Sequence, residues 1–263
     1  MSRDGCRVEG GDRVLIMLTD LQYQILVRFF HRGPERWNES VYGGKSKISL
    51  LFGEDWLRSI TGKIVVDFGC GEGLEATEMA KRGARHVIGI DYREDILQIA
   101  RANAAKAGVE ASCTFTQSAD EVADVVISID SFEHFEDPAA VLKMMASLTR
   151  PGGELLVSFG PTWYHPLGGH LFSVFPWAHV LFSEKALIRW RSTFKDDGAT
   201  RFGEVAGGLN QMTISRFEYL VRASGLSLSA LELVPIRPLR RIHNRLTREF
   251  TTAIVRCRLG KPV

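Results

Sequence analysis

The amino-acid sequence predicts an α/β protein built on a doubly wound, mostly parallel sheet. Two observations carry this prediction. Short apolar runs alternate with helical patterns through the middle of the chain, which is typical of successive strand–helix units. The run VVDFGCGEG, residues 65–73, then places three glycines directly after an apolar strand pattern, where helix and strand must meet closely.

Seven segments have the composition of strands. In chain order they are IVVDFG (64–69), HVIGID (86–91), SCTFTQ (112–117), DVVISID (124–130), GELLVSF (153–159), LSLSALELVPI (226–236) and TTAIVRCRL (251–259). Helical spacing predicts helices over 73–81, 94–107, 138–148 and 213–225, and RPGG at 150–153 predicts a turn. A polar helical pattern, LRRIHNRLTR, fills the connection between the last two strands.

The two flanking regions depart from this alternation. We assign residues 1–60 to an N-terminal helical cap and residues 61–263 to the main domain, with 161–212 as an insertion after the fifth strand. The insertion begins with many aromatic side chains, three histidines and a single acid, Glu184. In the cap, the helical pattern at 18–30 has an apolar face that we expect to pack on the domain or to cover a pocket. That face consists of Leu18, Leu21, Ile25 and Phe29.

Composition limits the classes of function. The net charge of +2 is not that of a nucleic-acid-binding protein, so we expect no nucleic-acid partner. Four cysteines without a CxxC spacing indicate reduced thiols and a cytoplasmic location, and we see no signal peptide or bilayer-spanning run. Residues 237–263 nevertheless carry eight basic residues against Glu249 alone. This basic end favours either a solvated surface or peripheral contact with an anionic membrane.

The glycines and two acids predict a ligand site. A strand ends at Asp67, a helix begins near Gly73, and Asp91 ends the next strand. Ligands of open α/β sheets bind at the carboxyl ends of strands, and an acid at the end of the second strand typically binds both hydroxyls of a ribose. The GxGxG spacing with a preceding acid differs from the GxGxxG of nicotinamide sites.

These features resemble the S-adenosylmethionine-dependent methyltransferases of the seven-stranded Rossmann-like class, over roughly 64–159 and the closing strands. The resemblance implies a seven-stranded sheet with an antiparallel last strand and S-adenosyl-L-methionine as cofactor. It also implies a set of cofactor-binding positions. Asp67 would face the methionine amine, and the loop would contribute Gly69, Cys70, Gly71 and Gly73. Asp91 would bind the ribose and Tyr92 would lie against the adenine, with Ser118, Ala119 and Asp120 at the adenine edge and Ile129 at the end of the fourth strand. Either Ser118 or Asp120 reaches the exocyclic amine. Cys70 has a second interpretation as a residue merely small enough for the loop.

The segment SIDSFEHFEDP, residues 128–138, is similar to the corresponding segment of the quinone-biosynthesis O-methyltransferases. In those proteins a Glu-His pair lies beside the cofactor. Catalytic candidates are therefore Glu133 and His134, joined by His165 and His170 from the insertion. His134 has an alternative role as a cap of the following helix, and Glu133 one as a hydrogen-bond partner of the backbone. Asp130 and Glu133 are the candidate metal ligands, but Asp130 is shorter than the glutamate of metal-using relatives, so we expect no metal.

We expect a small-molecule acceptor, most readily a sugar, lipid-linked or phenolic hydroxyl bound over the fifth strand and methylated on oxygen. The aromatics of the insertion either line this pocket or form the core of a subdomain. Two alternatives stay open: an RNA methyltransferase, and a non-catalytic protein that uses the fold as a binding or membrane-adaptor module. The sequence makes no prediction about the oligomeric state.

Overall fold

The computed structural model describes residues 8–30 and 46–263, with the side chains of 8–12 excluded. The helices and strands follow in chain order as α1 (Val8–Phe29), α2 (Lys47–Phe52), α3 (Glu54–Ser59), β1 (Ile64–Phe68), α4 (Leu74–Lys81), β2 (His86–Ile90), α5 (Glu94–Lys106), β3 (Cys113–Thr116), β4 (Ala123–Ile129), α6 (Pro138–Leu148), β5 (Thr149–Phe159), α7 (Ala178–Leu181), α8 (Glu184–Arg191), α9 (Ile214–Ala223), β6 (Ser227–Pro235), α10 (Arg248–Thr251) and β7 (Thr252–Gly260). The part of the sequence assigned to an N-terminal cap that lies in 1–7 and 31–45, including Cys6, falls outside the described residues.

The strands form one seven-stranded sheet in the order β3-β2-β1-β4-β5-β7-β6. Neighbouring strands from β3 to β5 are parallel, and β7 runs antiparallel to both of its neighbours. The predicted fold class is therefore confirmed. One boundary was wrong: residues 150–153, predicted as a turn, belong to β5, because Thr149 already pairs with Ala123 beyond a bulge.

Two apolar layers cover the two faces of the sheet. Helices α6 and α9 contribute Leu142, Met145 and Phe217 to one layer. Helices α2 to α5 contribute to the other, which includes residues of the sequence before β1, such as Ile48 and Trp56. The segment 46–60 therefore packs against the sheet itself, which brings its polar residues to the carboxyl end of β1.

Helix α1 packs on the insertion, but not through the predicted face. Leu26 is fully buried in a cluster with α8, and the Trp190 Nε1–H donates to the Phe30 carbonyl at 2.7 Å. The four residues Leu18, Leu21, Ile25 and Phe29 are 37–67% exposed. The predicted contact face was wrong because Leu26, rather than these four, meets α8, and polar bonds such as Ser183 to Gln22 at 2.7 Å fix that orientation.

The connection between β6 and β7 is not the continuous helix that its pattern predicts. A short 3₁₀ turn at Arg237–Ile242 and the four-residue helix α10 replace it. Tyr164 of the insertion packs against Phe250 of α10, with ring centroids 5.3 Å apart. Across 8–30 and 46–263, no helix is both long enough and apolar enough to cross a lipid bilayer.

Candidate active site

The glycine loop between β1 and α4 is shaped by three positive φ angles, at Gly69, Gly71 and Gly73. A Cβ on Gly69 would lie 2.7 Å from the Ser131 Oγ, and one on Gly73 would lie 2.7 Å from the Phe115 ring. A Cβ on Gly71 would meet nothing within 4 Å. Packing against the protein thus accounts for the outer two glycines, whereas Gly71 faces open space in which a ligand can approach the backbone.

Asp91 at the end of β2 is tied to this loop. Its Oδ2 accepts a hydrogen bond from the Gly71 N–H at 3.1 Å, and its two oxygens also accept from the Arg93 guanidinium at 3.0 and 3.1 Å. Burial raises the pKa of Asp91, but the hydrogen bonds from Arg93 and Gly71 outweigh it and the net shift is downward. Asp91 is therefore ionised at neutral pH, as an acceptor of ribose hydroxyls needs to be.

Asp67 is buried beneath the same loop. Its Oδ2 has no hydrogen-bond partner among the described residues. Burial, aided by the nearby charge of Glu75, raises the pKa of Asp67 to about 8. A buried carboxyl with an unused oxygen fits a ligand that brings a cationic donor, because an unpaired buried carboxylate is costly.

Lys47, at the first position of α2, is a residue that sequence analysis missed. Its Nζ lies 3.3 Å from the Glu75 Oε1 and 3.2 Å from the Asp130 Oδ2. Burial lowers the pKa of Lys47, but the charges of Glu75 and Asp130 outweigh it and raise it overall. An ammonium held between acids that follow β1 and β4 fits the carboxylate of an amino-acid ligand. The segment before β1 has no motif that would have pointed to this role.

The residues predicted around an adenine lie on the adjoining surface. The Tyr92 side chain is 73% exposed, with the Arg93 guanidinium 5.5 Å from the centre of its ring. Ser118 and Asp120 are exposed, and Ala119 packs on the apolar layer of β4. Ile129 is buried at the end of β4, and Cys70 is buried in the loop, where burial raises the pKa of its thiol. Cys70 therefore fills space in the loop.

A cluster of Glu133, His134 and His170 lies beyond β4. One donor atom from each side chain lies within 4.8 Å of the other two. The Glu133 Oε1 accepts from the Gly160 N–H at 3.1 Å, which confirms its expected bond to the backbone. Its Oε2 has no partner in the described residues, and burial raises the pKa of Glu133 to about 8. Burial, with a smaller contribution from His134, lowers the pKa of His170 to about 4, so this imidazole is neutral at pH 7.

His134 does not cap the helix that follows it. Asp137 caps α6 and accepts from the N–H groups of Ala139 and Ala140 at 3.0 Å. The His134 Nδ1 instead lies 2.8 Å from the Gly208 carbonyl oxygen. Asn210 holds the same loop through bonds from its Nδ2 to two backbone carbonyls at 2.8 Å. The insertion, not α6, therefore fixes His134.

The remaining histidines of the insertion have local partners. The His165 Nδ1 accepts from the Leu167 N–H at 2.9 Å, and burial lowers the pKa of His165 to about 4. Both ring nitrogens of His179 are occupied, by the Ser173 hydroxyl and the Trp163 carbonyl. Of the insertion histidines, His170 is the one that reaches the loop after β4.

A cleft of about 350 Å³ opens beside His134 and His170. Its wall includes Lys195 and Asp196 as well as Arg191, which is 5% exposed and pairs with both oxygens of Asp197. Most aromatic side chains of the insertion, such as Trp163 and Phe202, form a separate core. The cleft wall accordingly joins these charged side chains to apolar ones such as Phe172 and Leu209.

Part of the chain is similar to known proteins. Residues 66–157 match the family described as "Methyltransferase domain". The chain is 40% identical over 115 residues to a ubiquinone biosynthesis O-methyltransferase of Aeromonas salmonicida, covering 40% of this chain and 48% of the relative. A protein of the same name from Stutzerimonas stutzeri is 39% identical over 106 residues, 38% of this chain and 45% of the relative. The chain spans less than half the length of these curated relatives.

Solved structures share the fold of this chain. An S-adenosylmethionine-dependent methyltransferase from Mesorhizobium loti superposes with a TM-score of 0.51 at 16% identity, covering 79% of this chain and 96% of that one. A cyclase superposes with a TM-score of 0.52 at 17% identity, covering 80% and 79%. The chain therefore has the Rossmann-like fold, and its residues 66–157 match a methyltransferase domain. Because a cyclase shares this fold, the reaction has to be argued from the site.

Proposed function

We propose that this protein transfers a methyl group from S-adenosylmethionine to a hydroxyl of a small molecule. The observation that carries the proposal is the pairing of the open space over Gly71 with two acids at adjacent strand ends. These are the ionised Asp91 and Asp67, whose Oδ2 has no partner among the described residues. The match of residues 66–157 to a methyltransferase domain and the resemblance to ubiquinone O-methyltransferases support it.

The charges of the site match those of this cofactor. S-adenosylmethionine carries an ammonium, a sulfonium and a carboxylate. We assign the ammonium to Asp67, the carboxylate to Lys47 and the ribose hydroxyls to Asp91, which is already bonded to the loop through Gly71. Tyr92 and the segment 118–120 border the space for the adenine. The acids around Lys47 leave this region net negative, which favours a cationic cofactor over its neutral product.

The acceptor is assigned to the cleft beside His134 and His170. In the proposed step, the acceptor oxygen attacks the methyl carbon, the carbon–sulfur bond breaks, and S-adenosylhomocysteine leaves. The hydroxyl proton passes to His134 or His170, because Glu133, with its pKa of about 8, is already mostly protonated at pH 7. Alignment of the two reactants provides most of the acceleration, and the base adds roughly 10²–10⁴-fold. His165 is a weaker candidate for the base, because its Nδ1 already accepts a hydrogen bond from the Leu167 N–H.

The cleft wall combines charged side chains with apolar ones such as Phe172 and Leu209, which suits an acceptor that has both hydroxyls and an apolar part. Asp196, Lys195 and the Arg191–Asp197 pair offer donors and acceptors of the kind that bind sugars. A lipid-linked sugar fits a second observation, because Phe250 joins the basic C-terminal segment to Tyr164 of the insertion. We propose that exposed residues of this segment, Arg240, Arg241 and Arg245, contact anionic lipid.

Calorimetric titration of S-adenosylmethionine and S-adenosylhomocysteine tests the cofactor site. We expect micromolar binding by the wild type and loss of binding in Gly71→Arg, whose side chain enters the open space, and in Asp91→Ala. Lys106→Ala, on the exposed end of α5, is the matched control and retains binding. Failure of the folded wild type to bind either compound would overturn the proposal and favour the adaptor alternative. A sugar, lipid and phenol screen for S-adenosylhomocysteine release then tests the acceptor.

A further inference from the structure

The cluster of Glu133, His134 and His170 offers two imidazoles and one carboxylate to a common point. The donor atoms all lie within 4.8 Å of one another, and the ring centroids of the two histidines are 5.1 Å apart. Two imidazoles with one carboxylate are a donor set that binds zinc in catalytic sites, where a fourth position stays open for water or substrate.

The hydrogen bonds around the cluster leave the metal-binding atoms free in the described residues. The Gly208 carbonyl can only accept, so the His134 Nδ1 carries the proton and its Nε2 keeps the lone pair. The Glu133 carboxyl is held by Gly160 through Oε1, while Oε2 and the His170 Nε2 are buried without partners in the part of the chain that the structure describes. A ligating histidine whose other nitrogen donates to a backbone carbonyl is the usual arrangement at metal sites.

The backbone is adapted to this arrangement at two points. His170 has a φ of 51°, in the left-handed region that non-glycine residues rarely adopt, and this conformation turns an insertion residue toward the loop after β4. Gly208 has a φ of 66°, and a Cβ there would lie 2.5 Å from the His134 carbonyl oxygen. The left-handed backbone is costly for His170, a residue other than glycine, and its persistence at a side-chain cluster suggests that the cluster has a function.

Asp130 is not part of the cluster, so this set of ligands differs from the candidate pair of Asp130 and Glu133, for which the sequence led us to expect no metal. The Asp130 carboxylate is bound to Lys47 at 3.2 Å on the cofactor side of the loop. The donor that completes a three-residue set comes from the insertion, about 40 residues further along the chain than Asp130. No motif in the strand–helix repeat specifies it.

We propose that Glu133, His134 and His170 bind a zinc ion at the inner end of the cleft of about 350 Å³ lined by His134 and His170. A zinc ion bound by three protein ligands supplies Lewis acidity and lowers the pKa of a coordinated hydroxyl. The site rests on donor geometry and does not depend on the proposed methyl transfer. With zinc bound, the two histidines would serve as ligands and not as the proton acceptor of that step.

Metal binding is tested on the full chain after removal of metal with a chelator. Zn²⁺ is titrated in competition with a chromophoric chelator, and Co²⁺ is titrated separately to record its visible absorption bands. We expect one Zn²⁺ per chain, and at least tenfold weaker binding by His170→Asn and by Glu133→Gln. Asparagine tolerates the left-handed backbone at 170, and glutamine keeps the bond to Gly160. His86→Asn, a histidine of β2 bonded to Thr114, is the matched control.

Two outcomes would overturn the proposal: no stoichiometric binding by the folded wild type, or equal affinity in the wild type and in both variants. Loss of the Co²⁺ bands in His170→Asn but not in His86→Asn supports it. If His170→Asn does not fold, as judged by circular dichroism, Glu133→Gln alone decides, because that substitution preserves both shape and backbone bond. None of these readouts requires an acceptor or enzymatic turnover.

Discussion

The Lys47 Nζ lies 3.2 Å from the Asp130 Oδ2, which joins the chain before β1 to the loop after β4. The same ammonium lies 3.3 Å from Glu75 on α4. Three separate segments therefore meet at one cation beside the glycine loop. This convergence is the basis for assigning Lys47 to the carboxylate of the cofactor, which would replace or share one of its present partners.

Substitution of Lys47 by methionine should weaken binding of S-adenosylhomocysteine by roughly 10–150-fold. The loss of a hydrogen bond to a charged group is worth about 1.5–3 kcal/mol, and about 1.4 kcal/mol corresponds to a factor of ten. Methionine keeps most of the apolar stem that packs beside α4. Calorimetric titration of both proteins gives the ratio of Kd values.

The control for this prediction is a ligand without the amino-acid end. 5′-Methylthioadenosine has the adenine and ribose but no carboxylate, so Lys47→Met should leave its Kd unchanged. Lys63→Met, in the turn before β1, controls for general loss of positive charge and should alter neither ligand. An equal loss for both ligands in Lys47→Met would show that Lys47 acts through the fold and not on the carboxylate.

Much of this fold could be predicted from the sequence because its parallel strands are buried on both faces and leave short apolar runs. The core of each predicted strand from β1 to β4 is a strand in the structure. The start of β5 was harder to predict, because its Arg-Pro-Gly-Gly stretch has the composition of a turn but belongs to the strand, before a bulge. The contact face of α1 could not be predicted either, because large apolar residues also lie outside the predicted face and only the position of α8 selects Leu26.

Binding of S-adenosylhomocysteine should release a proton from Asp67. The free carboxyl has a pKa of about 8 because of burial and Glu75, so it is mostly protonated at pH 7, and it must ionise to accept from an ammonium. Affinity should therefore rise with pH between 6 and 8. Calorimetry in two buffers with different ionisation enthalpies measures the released proton, which should approach one per ligand at pH 7.

Asp67→Asn and 5′-methylthioadenosine provide the controls for proton release. The variant has no proton to release, and the truncated ligand has no ammonium to demand one, so neither should show buffer-dependent heat. Proton release of the same size in Asp67→Asn would assign the titrating group elsewhere.

Asp67 should make the unliganded protein less stable as pH rises, whereas the affinity for the ligand rises with pH. Its folded pKa of about 8 lies above the ordinary value of 3.8. Between these values the folded protein holds a proton that the unfolded chain has lost. The contribution of Asp67 to the free energy of unfolding therefore falls as pH rises, by at most about 1.4 kcal/mol per pH unit. Urea unfolding at pH 5 and pH 8 should show a steeper fall in the wild type than in Asp67→Asn, and parallel curves would contradict the assignment.

The glycines of the loop should respond differently to alanine. Gly73→Ala places a Cβ 2.7 Å from Phe115 and 2.8 Å from Ala100, so we expect a loss of about 1–3 kcal/mol from overpacking in addition to backbone strain. Gly71→Ala meets no atom within 4 Å, so only the strain of its positive φ remains, at about 1–2 kcal/mol. Urea unfolding ranks the two variants, and the reverse order would show that Gly71 is packed against the protein.

The candidate site was predictable where it follows strand ends and unpredictable where tertiary contacts build it. Asp67 and Asp91 are marked by apolar strands that end in an acid. His170 has no such context. It belongs to an irregular segment, and only the folded chain brings its ring within 5.1 Å of the His134 ring. The available signal was the presence of three histidines in a segment with one acid, which identifies the segment but not the residue that converges on Glu133.

The basic C-terminal segment should bind anionic vesicles. Arg240, Arg241 and Arg245 are exposed and form no ion pair within the described chain, and they alternate with Ile242, 55% exposed, and Leu246, 91% exposed. Exposed apolar side chains among cations suit the boundary between lipid headgroups and acyl chains.

Replacement of these three arginines by alanine should weaken binding to phosphatidylserine-containing vesicles by roughly 100-fold, because each cation near an anionic surface contributes about 1 kcal/mol. Cosedimentation with vesicles of rising phosphatidylserine content measures the effect, and neutral phosphatidylcholine vesicles should bind neither protein. A triple alanine variant at Lys81, Arg85 and Lys106, three exposed cations on other elements, should bind like the wild type. Equal losses in the two triple variants would mean that net charge alone, and not this segment, governs the contact.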